Sequence, residues 1–366
     1  IISATWASRI PEIQEKFLLS DARWGSVLFA LPVGLVAGLP VSSWLIEKFT
    51  SARMMTVSGV IFALLLSSLC IAPNVLTLII FLFCFGFSRS FFTMSLNTNS
   101  IEVQNVYQKP IIASFHGVWS LASFCAAAIG TFMISGNIDP AVHFSIISFA
   151  VIVLILLNIR KGNTKKEAAE KKPFFIKPDR YLFILGLITF CTMSCEVTVF
   201  DWAVNYFKKV VKADKQMVVA GYTAFIITMT LGRMIGDKIL AFLGLQKVLL
   251  FSGALMSLGF FITVFFPYLY MATLGFLLIG LGDSIIIPTV YSLAGKSAKM
   301  KPNYAIASVT MIGYIGFLSA PLIVGSISQK WGMPSAFTLM AVLSFFISVL
   351  AIILSKQKEM KVALST

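Results

Sequence analysis

The sequence predicts an all-α polytopic membrane protein, and three observations carry that expectation. The chain is 58% hydrophobic and 12% charged, with 33 Phe, whereas a soluble domain carries about 25% charged residues. Apolar runs of roughly 20 residues recur from end to end, each long enough to cross ~30 Å of hydrocarbon as a helix. The charges collect in short segments between the runs, and Lys and Arg are unequally shared between alternate segments.

The runs place complete spans near 25–46, 55–72, 75–100, 111–135, 141–158, 182–206, 217–236, 248–266, 269–294, 304–327 and 335–355. Ahead of them, IISATWASRIP reads as the tail of a further helix ending at Arg9–Pro11, because proline breaks helices. The expectation is therefore twelve transmembrane helices with the first truncated, and no signal peptide is visible. Pro32, Pro288 and Pro321 fall inside spans and are expected to kink them, tolerated where neighbouring helices satisfy the freed carbonyls. Cys70, Cys84, Cys125, Cys191 and Cys195 all lie in apolar runs without metal-ligand spacing. They read as small polarizable packing residues, an odd set being a poor disulfide framework.

The one substantial polar insertion is RKGNTKKEAAEKKPFFIKPDR, ending at Arg180. Segments on its side of the membrane hold 20 Lys and Arg, the opposite segments hold 8, and Arg89 alone lies within a span. The positive-inside rule then puts the 159–180 loop and the C-terminus in the cytoplasm of a cell with an inner (plasma) membrane. The net charge of +14 is accounted for by this orientation rather than by nucleic acid.

The insertion divides the chain into an N-terminal six-helix bundle (1–160, first helix incomplete), a cytoplasmic linker (161–180) and a C-terminal six-helix bundle (181–366). The halves repeat weakly but in order. TWASRI at 5–10 matches DWAVNY at 201–206, setting Trp6 opposite Trp202, and GFSRS at 86–90 matches GLGDS at 280–284. QKPIIAS at 108–114 pairs with MKPNYAI at 300–306, and SSWLIEKFTSAR with GRMIGDKILAFLG. Two parallel six-helix halves are a transporter architecture.

With these motifs the sequence resembles the major facilitator superfamily over nearly its whole length. That family's loop motif, Gly-x-x-x-Asp-Arg/Lys-x-Gly-Arg/Lys, is matched around Gly232, Arg233, Gly236, Asp237 and Lys238, with Glu47 and Lys48 at the acid–base pair of the first half. The resemblance implies a conformational latch at both places, two pseudo-symmetric bundles and no cofactor. MSLNTNSIEV, SFHGVWSL, CEVTVFDWAVNY, LGRMIGDK and GYIGFLSAPLIVG look more narrowly like the fucose-permease-like and YbjJ-type bacterial branch. Drug exporters of the family carry a Gly-Pro motif in the fifth span; here that span has no proline, and the Gly/Pro pattern stands around Gly316, Pro321 and Gly325.

Polar residues inside the spans are the candidate functional groups, because a charge at the bilayer centre costs about 3 kcal/mol or more. Arg89 and Asp283 occupy equivalent places at roughly 21 Å from the outer surface, by ~1.5 Å of rise per residue. They are expected to form a breakable pair on opposing cavity walls, or a static salt bridge. Glu196 has no basic partner in its own span and is the first candidate for proton coupling. A permanently protonated or solute-binding Glu is the alternative. Asp201 lies five residues on, about 140° round the helix, as an outer-gate or hydrated end residue. His116 is a relay or packing histidine. Asn97 and Asn99 could bind solute hydroxyls or cap the inner mouth, and Trp119 and Trp202 could stack on a solute.

These readings predict a secondary active transporter, acting as a monomer in the lipid bilayer, that moves a small polar, sugar-like solute with protons. No Gly-x-x-x-x-Gly-Lys-Ser/Thr loop is present, so an ATP-driven pump is not expected, and no nucleophile–base set suggests an enzyme. The alternatives are a proton-driven exporter of amphipathic compounds and a transport-silent sensor or scaffold on the same fold.

Overall fold

The computed structural model describes residues 1–107, 112–158, 178–297 and 299–356. These residues fold as helices joined by short turns, and the chain splits into two compact units, Ile1–Lys171 and Lys172–Thr366. Within the described part of the first unit lie α1 (Ile2–Lys16), α2 (Asp21–Leu28), α3 (Ala30–Lys48), α4 (Ser51–Ile71), α5 (Val75–Tyr107), α6 (Ile112–Ser135) and α7 (Pro140–Leu157). The second holds α8 (Arg180–Lys209), α9 (Ala220–Leu243), α10 (Leu245–Phe265), α11 (Leu269–Asp283), α12 (Ile286–Gly295), α13 (Pro302–Trp331) and α14 (Met333–Ser355). Among the described residues, nine spans are long and apolar enough to cross a membrane.

The spans fall where the apolar runs place them, and their ends follow local chemistry. Thr50, Asp139 and Asp179 accept backbone N–H bonds at the starts of α4, α7 and α8. Gly244 and Gly332 close α9 and α13 with φ of 77° and 83°, a left-handed backbone that glycine enters without a Cβ clash. Of Pro32, Pro288 and Pro321, two break their helices. The α2/α3 break at Phe29 lies one turn before Pro32, and the α11/α12 break at Ser284–Ile285 one turn before Pro288. In each case the missing proline N–H leaves a carbonyl four residues earlier without its helical donor. Pro321, by contrast, is carried inside the continuous α13.

Several helices run past their expected ends, α5 to Tyr107, α9 to Leu243 and α1 among them. α1 does not end at Arg9–Pro11 but runs to Lys16 with Pro11 inside it. Arg9 is consequently not a loop cation. Its side chain is buried, donating Nη1 to both Glu12 carboxylate oxygens at 2.7 Å, Nε to His143 Nδ1 at 3.1 Å and Nη2 to the Ile138 carbonyl at 3.0 Å. This network ties α1 to α7 and to the turn before it, and carries the helix past its proline.

Each unit repeats the same helix packing. α1 contacts α6 and α7, α4 contacts α5 and α7, and α3 contacts α5 in the first unit. The second matches these with α8 on α13 and α14, α10 on α11 and α14, and α9 on α11. Glycine sets the closest crossings, because small residues let backbones approach where lipid offers no hydrophobic drive between helices. A methyl added at Gly86 would overlap the Leu31 carbonyl, and one at Gly280 the Phe225 carbonyl.

Candidate transport site

α8 carries Glu196 on a face left partly open, among otherwise buried neighbours Cys195, Val197 and Thr198. Its partner comes from the next helix. Arg233 Nη2 lies 3.7 Å from Glu196 Oε1, with the two side chains 36% and 24% exposed. The sequence places Arg233 at the cytoplasmic end of its span, but α9 continues to Leu243 and holds Arg233 near its middle.

Asp283 closes α11 immediately before the break that Pro288 imposes. It is buried, and neither carboxylate oxygen has a hydrogen-bond partner among the described residues. It lies close enough to Glu196 and Arg233 to feel both charges. Helix packing accounts for the proximity: Gly232 abuts the Ser284 side chain, so Arg233 and Asp283 each stand one residue from a close contact between α9 and the end of α11. Tyr291 of α12 also feels the Glu196 charge, and Thr310 Oγ1 of α13 donates to its hydroxyl at 3.1 Å. Four spans of the second unit therefore bring two carboxylates, a guanidinium and two hydroxyls together.

The remaining candidates are dispersed. Arg89 is half-buried on α5 and Asp201 half-buried on α8, each with interactions of its own. Asn97 is exposed, and Asn99 Nδ2 reaches Ser51 Oγ at 3.4 Å, pinning α5 to the start of α4. Trp202 is fully buried, so it has no open face on which a solute could stack; the stacking expectation is corrected here. His116 and Trp119 lie on α6 and Glu47 on α3, with side chains outside the described residues. Lys48 lies over the Trp44 and Phe49 rings, at 5.3 and 5.9 Å from their centroids.

The Gly232–Lys238 stretch is not a loop. It lies inside α9, with Gly232 and Gly236 packed on Ser284 and Ile285 and with Asp237 and Lys238 exposed. The spacing held the signal that was missed: glycines four apart mark one helix face at a close crossing, which extends the helix through Arg233.

A helical membrane protein built of two internally repeated units, with ionisable groups gathered inside its spans, has the architecture of a carrier. The chain belongs to the Major Facilitator Superfamily, whose family model matches residues 3–303 and 182–365. It is 28% identical over 93% of its length to an uncharacterized MFS-type transporter of Yersinia pestis, covering 88% of that protein. It is also 25% identical to the membrane protein MosC of Rhizobium meliloti, with 92% of this chain and 82% of that one aligned. Its fold is similar to that of the nucleoside transporter NupG, with a TM-score of 0.76, 13% identity and coverage of 98% and 97%. The fucose:proton symporter FucP of E. coli aligns with a TM-score of 0.56 and 16% identity over 97% and 98% of the chains. The protein is therefore a multi-pass membrane transporter and not an enzyme.

Proposed function

We propose that this transporter moves a small polar solute, sugar-like in its hydroxyl content, by alternating access coupled to protons. The observation that carries this reading is the Glu196–Arg233–Asp283 cluster with its Tyr291 and Thr310 hydroxyls. Two carboxylates share one cation there, so the cluster has a vacancy for a proton, and its partly open side offers hydrogen-bond donors and acceptors to a polyol. Arg89, with Asn97 and Asn99 on the same helix, supplies the corresponding polar groups of the first unit. The Glu47–Lys48 segment at the end of α3 and the Asp237–Lys238 segment inside α9 remain the proposed latch positions.

We place the protein in the inner membrane as a monomer, with the 159–180 loop and the C-terminus cytoplasmic. The charge bias supports this orientation: with Arg9 and Arg233 set aside, since both lie well inside their helices, one cation comes off each side of the count and the excess persists. Uptake of labelled sugars and nucleosides into proteoliposomes under an imposed pH gradient tests the reading. Accumulation that collapses with a protonophore is the expected result, and Glu196→Gln should abolish accumulation while sparing solute exchange. Outward movement of lipophilic dyes in place of sugar uptake would instead establish an exporter. No gradient-driven flux with any member of the panel would establish the scaffold.

A further inference from the structure

We propose that Asp283 is the carboxylate that carries the coupling proton, and that Arg233 is a counter-ion which Glu196 and Asp283 hold in turn. This rests on the proton-coupled reading and deepens it. In the geometry recorded here Arg233 faces Glu196 at 3.7 Å, while both Asp283 oxygens are buried with no hydrogen-bond partner among the described residues. A buried ion survives by pairing, and an unpaired one is strongly disfavoured. With one guanidinium for two carboxylates, a proton on Asp283 makes the cluster neutral.

Among the described residues, Arg233 is the cation that acts on Asp283. Cys195 and Glu196 of α8 and Arg233 of α9 lie within electrostatic reach of Asp283, and Tyr291 of α12 within reach of Glu196, while the Cys195 thiol itself contacts Met340 and Ser344 of α14. α10 crosses α11 where Ser252 meets Gly282, and its one cation, exposed Lys247, lies more than a turn away. The same crossing in the first unit shows that packing does not require the cluster. Gly38 abuts Ser90 there as Gly232 abuts Ser284, yet Leu39 stands in the place of Arg233 and Arg89 in that of Asp283.

A solute whose hydroxyls donate to Glu196 competes with Arg233 for that carboxylate. Once released, the guanidinium can turn to Asp283. The Asp283 O–H bond then breaks, its electron pair stays on the carboxylate, and the proton passes to water at the open side of the cluster. Solute departure returns Arg233 to Glu196 and a proton to Asp283. Arg233 is a positioning residue in this scheme, acting through the two acids.

Infrared difference spectroscopy of the reconstituted protein, without any solute, reads the proton itself. A carbonyl stretch of a protonated carboxylic acid is expected at neutral pH. It should shift when aspartate, but not glutamate, is labelled with ¹³C at the side-chain carboxyl, which needs no variant to fold. The band should disappear in Asp283→Asn, fall in Glu196→Gln, where Arg233 is free to turn to Asp283, and grow about twofold in Arg233→Gln, where two acids lack a cation. A band that follows glutamate labelling, or no band at all, overturns the assignment of the proton. An unchanged band in folded Arg233→Gln overturns the shared counter-ion. Failure of the transport reading shows separately, as absent gradient-driven flux with the band intact.

Discussion

At a constant offset of 194 residues, Gly38 meets Ser90 in the first unit and Gly232 meets Ser284 in the second, while Gly86 meets the Leu31 carbonyl and Gly280 the Phe225 carbonyl. These two helix crossings are thus repeated in both units, on equivalent residues. Their charges are not. The first unit holds an Arg9–Glu12–His143 network between the middle of α1 and α7, and the second places a two-acid, one-cation cluster between α8, α9 and α11. The difference teaches that backbone packing constrains these units far more tightly than side-chain polarity does. Polar groups can be exchanged wherever a crossing leaves room, so equivalent positions need not share a role.

The largest effect is expected where a buried charge loses its partner. Arg9→Leu should destabilise the first unit by about 3 kcal/mol, because Glu12, His143 and the Ile138 carbonyl lose their shared donor together. Thermal unfolding in detergent measures this. At the matching position in the second unit, Asn205→Leu should cost less, since no ion is left behind. Equal losses in the two variants would break the contrast between the units.

Next come the copied crossings. Gly86→Ala and Gly280→Ala each drive a methyl into a facing backbone carbonyl, which cannot rotate away as a side chain can. Each should cost on the order of 2 kcal/mol by overpacking, and the two losses should agree. Loss of folded protein on size-exclusion chromatography in one variant and none in the other would show that the repeat is not a mechanical one.

A third measurement concerns Asp283. Double-mutant cycles on unfolding free energy should give about 1 kcal/mol or more of coupling between Arg233 and Asp283, which share a cluster. Between Asp283 and exposed Lys247 of α10, more than a turn from the point where α10 and α11 cross, the coupling should be near zero. A larger value for the second cycle would show that the coupling is not specific to the cluster.

Most of the helix map was legible in the sequence because bilayer thickness fixes the length of an apolar run, and the interruptions at Pro32 and Pro288 follow from the missing N–H. The end of α1 was misread for the converse reason. Pro11 disrupts a helix locally, but the Arg9 network that holds α1 together draws on His143 and Ile138, more than a hundred residues away. Of the candidate site, Glu196 and Asp283 stood out as charges in apolar surroundings. Their common neighbour did not, because Arg233 sits in a motif that reads as loop, and only the α9–α11 crossing at Gly232 brings it to Asp283. Burial of Trp202 was invisible for the same reason: an aromatic in a span is equally at home facing lipid, solute or core.

The most local contrast lies at two helix ends that the units cap differently. Pro73 and Pro267 are equivalent, and each removes the N–H that would bond a carbonyl in the last turn of the preceding helix. In the second unit the orphan is the Thr263 carbonyl, and the buried Tyr206 hydroxyl donates to it at 2.9 Å, its ring packed 4.3 Å from that of Phe337. In the first unit the Lys16 ammonium donates to the Cys70 carbonyl at the end of α4, where a cation also complements the helix dipole. Tyr206→Phe keeps the ring and removes only the donor, so it should cost about 1.5 kcal/mol, the scale of an unsatisfied buried acceptor. Pro267→Ala supplies the missing N–H, and in that background Tyr206→Phe should cost markedly less. A Tyr206→Phe loss that is the same with or without Pro267 would mean that the hydroxyl serves something other than this carbonyl.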